Sequence, residues 1–195
     1  MNDQLRQRLN RIYDRITSED FLKTRGIGNE IAFFVFDYPP AAELDVRVFI
    51  RILENRIQSA KPNLRLASVN LFEFVIEYLR ELKLLDKCFH LQKKKGDAAL
   101  LKALMGVLNA QKVAHRFVEF ARPHDHELVL VHGLGSVYPL LRTHTLLNNL
   151  HPLLDRIPLV LFFPGAYKGG KLLLLGGAEQ APEAHNYYRA LHLVD

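Results

Sequence analysis

Two short segments that are apolar on both faces constrain this chain most. Ile31-Ala32-Phe33-Phe34-Val35-Phe36-Asp37 and Ile157 to Phe163 show no polar alternation. A strand in either place must therefore be covered above and below, as happens in a parallel sheet with helices on both faces. The second is the longest strongly apolar stretch, and it is far too short to cross a bilayer. Leu64 to Val69 and Leu128 to Val131 read as further strands, and Lys171 to Leu175 and Tyr187 to Val194 as shorter ones joined by glycine- and proline-containing turns.

Helical spacing fills the intervals. Leu5, Leu9, Ile12, Tyr13 and Ile16 make one amphipathic stripe. Pro39-Pro40 stops the first strand, and Glu43 and Asp45 suit the electropositive start of a helix. Leu44, Val48, Phe49, Ile52 and Ile57 are the expected buried stripe of that helix. Asn70, with Glu73 three residues on, approximates a capping box for the next helix. Another helical pattern runs from Asp97, as N-cap, to about Phe120, after a loop with Lys93-Lys94-Lys95. A last one runs from Pro139, inside its first turn, to Leu150. Strands alternating with helices predict an α/β fold: a single layered domain over 1–195, with a mainly parallel sheet flanked by helices and C-terminal antiparallel edge strands.

Composition narrows the function classes. The 195 residues are 49% hydrophobic and 24% charged, which is globular composition. One cysteine, Cys88, excludes an internal disulfide framework and a cysteine-built zinc cage. The polar start MNDQLRQRLN carries no secretory signal, so a cytoplasmic protein without a membrane association is expected. Net charge is only +5, with no basic arm. A nucleic-acid binder concentrates its charge on one face or segment, so direct nucleic-acid binding is disfavoured.

Four motifs carry candidate chemistry. Gly165-Ala166-Tyr167-Lys168-Gly169-Gly170-Lys171 satisfies the G-x-x-x-x-G-K core of a phosphate loop. Leu172 nevertheless stands where a magnesium-binding hydroxyl is required, and no helix can start before Gly176. A tight turn between strands explains the same glycines. Gly133-Leu134-Gly135-Ser136 follows a strand and opens a helix, the context of an anion site, but Tyr138, followed by Pro139, stands where the third fingerprint glycine is required. Ser136 also lacks the following glycine of a hydrolase elbow. His124-Asp125-His126 with His132 could hold a metal only if the loop curls, so the plain reading is a polar connection. Asp37, at a strand end, suits either catalysis and magnesium binding or the capping of a turn.

No catalytic set, metal site or bound cofactor emerges. Gly133, Gly135, Ser136 and Lys171 are the weak cofactor-binding candidates. Tyr38, Tyr138, Tyr167, Tyr187 and Tyr188, with Arg142 and Arg189, suit a protein interface instead, because tyrosine and arginine are enriched at binding hot spots.

Particular phrases carry a resemblance. They are Gly28-Asn29-Glu30, Phe33-Phe34-Val35-Phe36-Asp37-Tyr38, Tyr138-Pro139-Leu140, Arg142-Thr143-His144, Leu146-Leu147-Asn148-Asn149-Leu150, Phe163-Pro164-Gly165 and Asn186-Tyr187-Tyr188-Arg189-Ala190. Together they resemble the BrxB family, small components of bacterial BREX phage-defence systems, from about Leu5 to Val194. The resemblance implies a non-catalytic assembly factor in a system that methylates host DNA and excludes phage. It implies PglZ and BrxC as partners, no cofactor, and no catalytic residues to carry over; self-association stays open. The rival reading is a nucleotide-binding or DNA-binding component that uses Gly133–Ser136 or Gly165–Lys171.

Overall fold

Phe33–Asp37 and Leu159–Phe163 of the two apolar segments lie at the centre of the sheet in the computed structural model, which describes residues 2–23, 33–154, 157–174 and 190–194. The sheet contains β1 (Phe33–Tyr38), β2 (Leu66–Asn70), β3 (Leu128–His132), β4 (Leu159–Lys168), β5 (Lys171–Leu174) and β6 (Leu191–His192). Its order is β2-β3-β4-β1-β6, with β5 hydrogen-bonded to β4. β2, β3, β4, β1 and β6 run parallel, and β1 and β4 are in register from Phe33 opposite Leu159 to Tyr38 opposite Pro164. This is the expected α/β fold.

Strand alternation divides the interior in two. Phe34, Phe36, Leu128, Leu130, Val160 and Phe162 point to one face, where they meet α1 (Asp3–Ile16), α2 (Glu19–Leu22) and α3 (Glu43–Ala60). Phe33, Val35, Val129, Val131, Leu159, Leu161 and Phe163 point to the other. That face is covered by α4 (Leu71–Glu81), α5 (Leu85–Val107), α6 (Ala110–Ala121), α7 (Leu134–Val137) and α8 (Thr143–Leu150). With helices on both faces, apolar residues are buried at every position of a central strand.

The helices depart from expectation where apolar residues surround the axis. In α3 the buried residues are Val46, Ile50, Leu53 and Ile57, whereas Leu44, Val48 and Ile52 are exposed. Both sets fall on helical stripes, and packing against the sheet selects one. The pattern expected from Asp97 to Phe120 is two elements. In α5 the backbone leaves helical geometry at Gly96, with φ +78°, and α6 starts anew at Asn109. The Asn109 side chain accepts from the amides of Gln111 and Lys112. Lys93-Lys94-Lys95 is an exposed helical stretch rather than a loop. Pro139 lies between α7 and α8, so the helix expected from Pro139 begins at Thr143.

At the chain's end, β5 returns antiparallel to β4 as expected, with Lys168 opposite Lys171. The edge strand β6 runs parallel to β1 instead. The antiparallel edge is therefore one strand, and the second joins the parallel sheet. Tyr187, Tyr188 and Arg189 lie outside the described residues, as does the Gly28–Glu30 phrase. Among the described residues, no helix is long and apolar enough to cross a membrane.

Candidate functional site

The parallel strands end on one side of the molecule, and two groups of polar side chains gather there. The first surrounds Asp37, next to last in β1. Arg8 reaches it from α1: Nη2 donates to Asp37 Oδ1 at 2.8 Å and Nη1 to the Asp37 carbonyl at 2.9 Å. The Tyr167 amide donates to Oδ2 at 3.0 Å. The same guanidinium donates to the Val194 carbonyl through Nε at 3.3 Å and Nη2 at 3.1 Å, and lies 4.7 Å from the Phe36 ring centroid. Asp37 thus joins α1, β1, the β4–β5 hairpin and the C-terminal residues. Both of its oxygens accept bonds within the fold, from Arg8 and from the distant Tyr167 amide rather than from the turn that follows β1.

The second group lines a cleft of about 420 Å³ at the ends of β2 and β3. Helix α3 contributes Arg47, Arg51 and Glu54, β2 contributes Ser68 and Asn70, α4 contributes Glu73, and β3 contributes His132. Their positions follow from local structure. Asn70 ends β2 and caps α4, its Oδ1 accepting from the Phe72 amide at 3.0 Å, while its Nδ2 donates to Glu73 Oε1 at 3.0 Å. The capping pair anticipated from the sequence is therefore present, with the side-chain bond between Asn and Glu added. Arg47 is fixed by Glu43, with Nε to Oε1 at 2.7 Å, and by Ser136, with Nη2 to Oγ at 2.7 Å. Glu43 in turn accepts from the Tyr38 hydroxyl at 2.7 Å.

His132 differs from its neighbours. Its Nδ1 is buried without a hydrogen-bond partner among the described residues. Burial lowers the pKa of this half-buried ring below its ordinary value, against the opposing pull of the Glu54, Glu73 and Glu43 carboxylates. The imidazole is accordingly neutral at pH 7 and offers one donor and one acceptor. Arg51 is exposed and has no polar partner among the described residues. The cleft can thus supply a cation, a neutral imidazole and carboxylates to something placed between α3 and β2.

The sequence candidates separate clearly. Gly133 has φ +76°, and a Cβ there would stand 2.4 Å from Asn70 Oδ1. Its freedom serves the close approach of β3's end to the α4 cap. Ser136 binds Arg47, and α7, which contains Gly135, has four residues. Gly169 and Gly170, both at positive φ, make the two-residue turn of the β4–β5 hairpin. A Cβ at Gly165 would meet the Leu173 carbonyl at 2.1 Å. The Gly165–Lys171 match is therefore a hairpin, with Lys171 exposed on its second strand.

Of the interface candidates, Tyr138 and Arg142 are exposed. Tyr38 is not: it is 2% exposed and bound to Glu43, and burial first, then that hydrogen bond, push its phenol well above the ordinary value. Tyr167 is also buried, its hydroxyl donating to the Ala190 carbonyl at 2.8 Å. Neither ring offers a contact surface, because aromatic bodies at strand ends fill the core here. His126 places Nδ1 2.8 Å from the accepting Arg122 carbonyl. No group of three metal-ligating side chains gathers among the described residues. Burial raises the pKa of the Cys88 thiol.

Sequence reading missed the cleft as a unit. Its residues come from three stretches separated by strand pairing, and Arg47, Arg51 and Glu54 sit in no motif. The usable signal was positional: Asn70 and His132 end adjacent parallel strands, where α/β folds place their sites.

Comparison with known proteins gives a family. Residues 67–193 match the family described as "BREX protein BrxB". A protein of that name from Bacillus cereus (strain H3081.97) is 37% identical over 196 residues, spanning 98% of this chain and 98% of its own. Another, from Escherichia coli O9:H4 (strain HS), is 35% identical over 190 residues, spanning 97% and 92%. No solved structure matches.

Proposed function

This chain belongs to the BrxB family, and we propose that it serves BREX phage defence as a non-catalytic adaptor, acting as one domain over 1–195. It docks other BREX components to one another and thereby supports host DNA methylation and phage exclusion. PglZ and BrxC are the partners, and the site of action is the cytoplasm.

The observation that carries this reading is the full-length similarity to two proteins named as BREX components. The occupied state of the nucleotide-like turns supports it. Gly133 accommodates Asn70, Ser136 holds Arg47, and Gly169-Gly170 closes a hairpin. Each is used within the fold. Exposed Tyr138 and Arg142 are the described residues retained as partner contacts, and Tyr187, Tyr188 and Arg189 complete the proposed set.

Co-purification of the tagged chain with PglZ and BrxC, with and without ATP, tests the proposal. Retention of either partner regardless of nucleotide is the expected result. Failure to retain both at micromolar concentration overturns it. Retention that requires ATP, together with nucleotide-dependent thermal stabilisation of the isolated chain, would favour the nucleotide-binding reading. DNA affinity that falls steeply with salt would favour the DNA-binding one.

A further inference from the structure

The cleft continues past Ser68. A second cavity of about 320 Å³, lined by Ile57, Gln58, Pro62, Leu64 and Leu66, extends it toward the start of β2, and Glu54 and Ser68 border both. The joined groove runs between α3 and β2 along the whole strand, apolar in its lower half and polar in its upper half. Among the described residues β2 ends the strand order, with β3 as its one neighbour. The Arg65 carbonyl accepts from the Glu127 amide at 2.8 Å on the β3 side. Alternate residues of a parallel strand bond the same neighbour. Ala67 and Val69 therefore face β3 with their main-chain groups, and Leu66 and Ser68 direct theirs outward.

We propose that this edge receives an extended segment of a partner protein as an added strand, with one apolar side chain in the lower groove and one acidic side chain on Arg51. The inference rests on the adaptor reading and deepens it by naming the surface and the form of the partner. Outward amides and carbonyls select a strand, because a helix has satisfied its own main chain and gains nothing from such an edge. The period of two puts alternate side chains of the added strand on the groove face. Ile57, Pro62, Leu64 and Leu66 receive the apolar one. Arg51 has no partner among the described residues, whereas Arg47 is held by Glu43 and Ser136 and Glu73 is bound to Asn70. Glu54, between the two halves, opposes an acid in the lower one.

The test uses the full chain. Ser68→Pro removes an outward amide that β3 does not use, a change edge strands tolerate. Ser68→Lys fills the groove without touching the main chain and covers the case in which the proline variant unfolds. Arg51→Glu reverses the groove's cation, and Lys94→Glu, at an exposed position of α5, is the control. Capture of purified PglZ and BrxC is measured for each variant, with circular dichroism to confirm the fold. Overlapping 12-residue peptides from both partners are then screened on the immobilised wild type.

We expect capture to fall at least tenfold for both Ser68 variants and at least threefold for Arg51→Glu, with Lys94→Glu unchanged. One peptide, with an apolar and an acidic residue on one strand face, should bind and compete. Wild-type capture that all three variants retain overturns this surface and leaves the adaptor reading standing. Loss of capture by wild type itself overturns both. A dimer of the isolated chain that Ser68→Pro dissociates would make the occupant a second copy, which also overturns the proposal.

Discussion

Asp37 and His132 both end strands of one parallel sheet, yet one is consumed by the fold and the other is left open. Around Asp37, two carboxylate oxygens and a carbonyl meet three donors, and the Arg8 that supplies two of them also binds Val194 and covers Phe36. Around His132, among the described residues, neither the ring nitrogen Nδ1 nor the nearby Arg51 has a partner. Position at a strand's carboxyl end is therefore insufficient evidence of function. What separates the two is whether other segments reach the group: α1, β4 and the C-terminal residues converge on Asp37, whereas the β2 edge lets the His132 cleft open to solvent.

Removing the saturated cluster should have the largest effect. Asp37→Ala strands the Arg8 guanidinium and the Tyr167 amide, so a loss of about 3 kcal/mol in unfolding free energy is expected from urea denaturation. A loss below about 1 kcal/mol would show that the cluster is more solvated than its geometry implies. Gly133→Ala presses on Asn70, which lines the cleft. Positive φ and the Asn70 contact together predict a cost of about 2 kcal/mol, read as a lower thermal midpoint. That result would separate a structural glycine from a ligand-binding one.

The pH response sharpens the contrast further. His132 has a pKa below 6.5 in the folded chain, because burial outweighs the carboxylates Glu54, Glu73 and Glu43. The unfolded chain then binds the extra proton first, so stability falls as pH drops below about 6.5 and levels off below the folded pKa. His132→Asn should flatten that part of the curve, measured by thermal midpoints between pH 7.5 and 5. Arg51→Ala should move stability least, within about 0.5 kcal/mol, since the side chain is exposed and has no partner among the described residues. Its consequence is expected in partner capture. A large stability loss there would place Arg51 with Asp37 rather than opposite it.

Much of the site's scaffolding was legible one segment at a time. Asn70 and Glu73 announced the α4 start because capping depends on residues three apart. Gly169-Gly170 between apolar strands announced a hairpin. The face of α3 was not legible, because Leu44, Val48 and Ile52 compete with Val46, Ile50 and Leu53 on equal terms of spacing and polarity. With the face undetermined, no local pattern could place Arg47, Arg51 and Glu54 beside β2. The break between α5 and α6 was similarly hidden, since Leu108-Asn109-Ala110 carries neither glycine nor proline, whereas Gly96 falls in the loop expected before Asp97.

By itself, then, the sequence determined that the central strands must be covered on both faces, that helices alternate with them, and that the phosphate-loop match lacks its hydroxyl and its helix. These follow from apolar content and local stereochemistry, which neighbouring residues settle among themselves. Only the tertiary structure decided that Asp37 is occupied, that Tyr38 and Tyr167 are buried, that β6 runs parallel, and that an edge strand and α3 frame an open groove. Those outcomes depend on which distant segments arrive at a strand's end, and pairing order carries that information while sequence spacing does not.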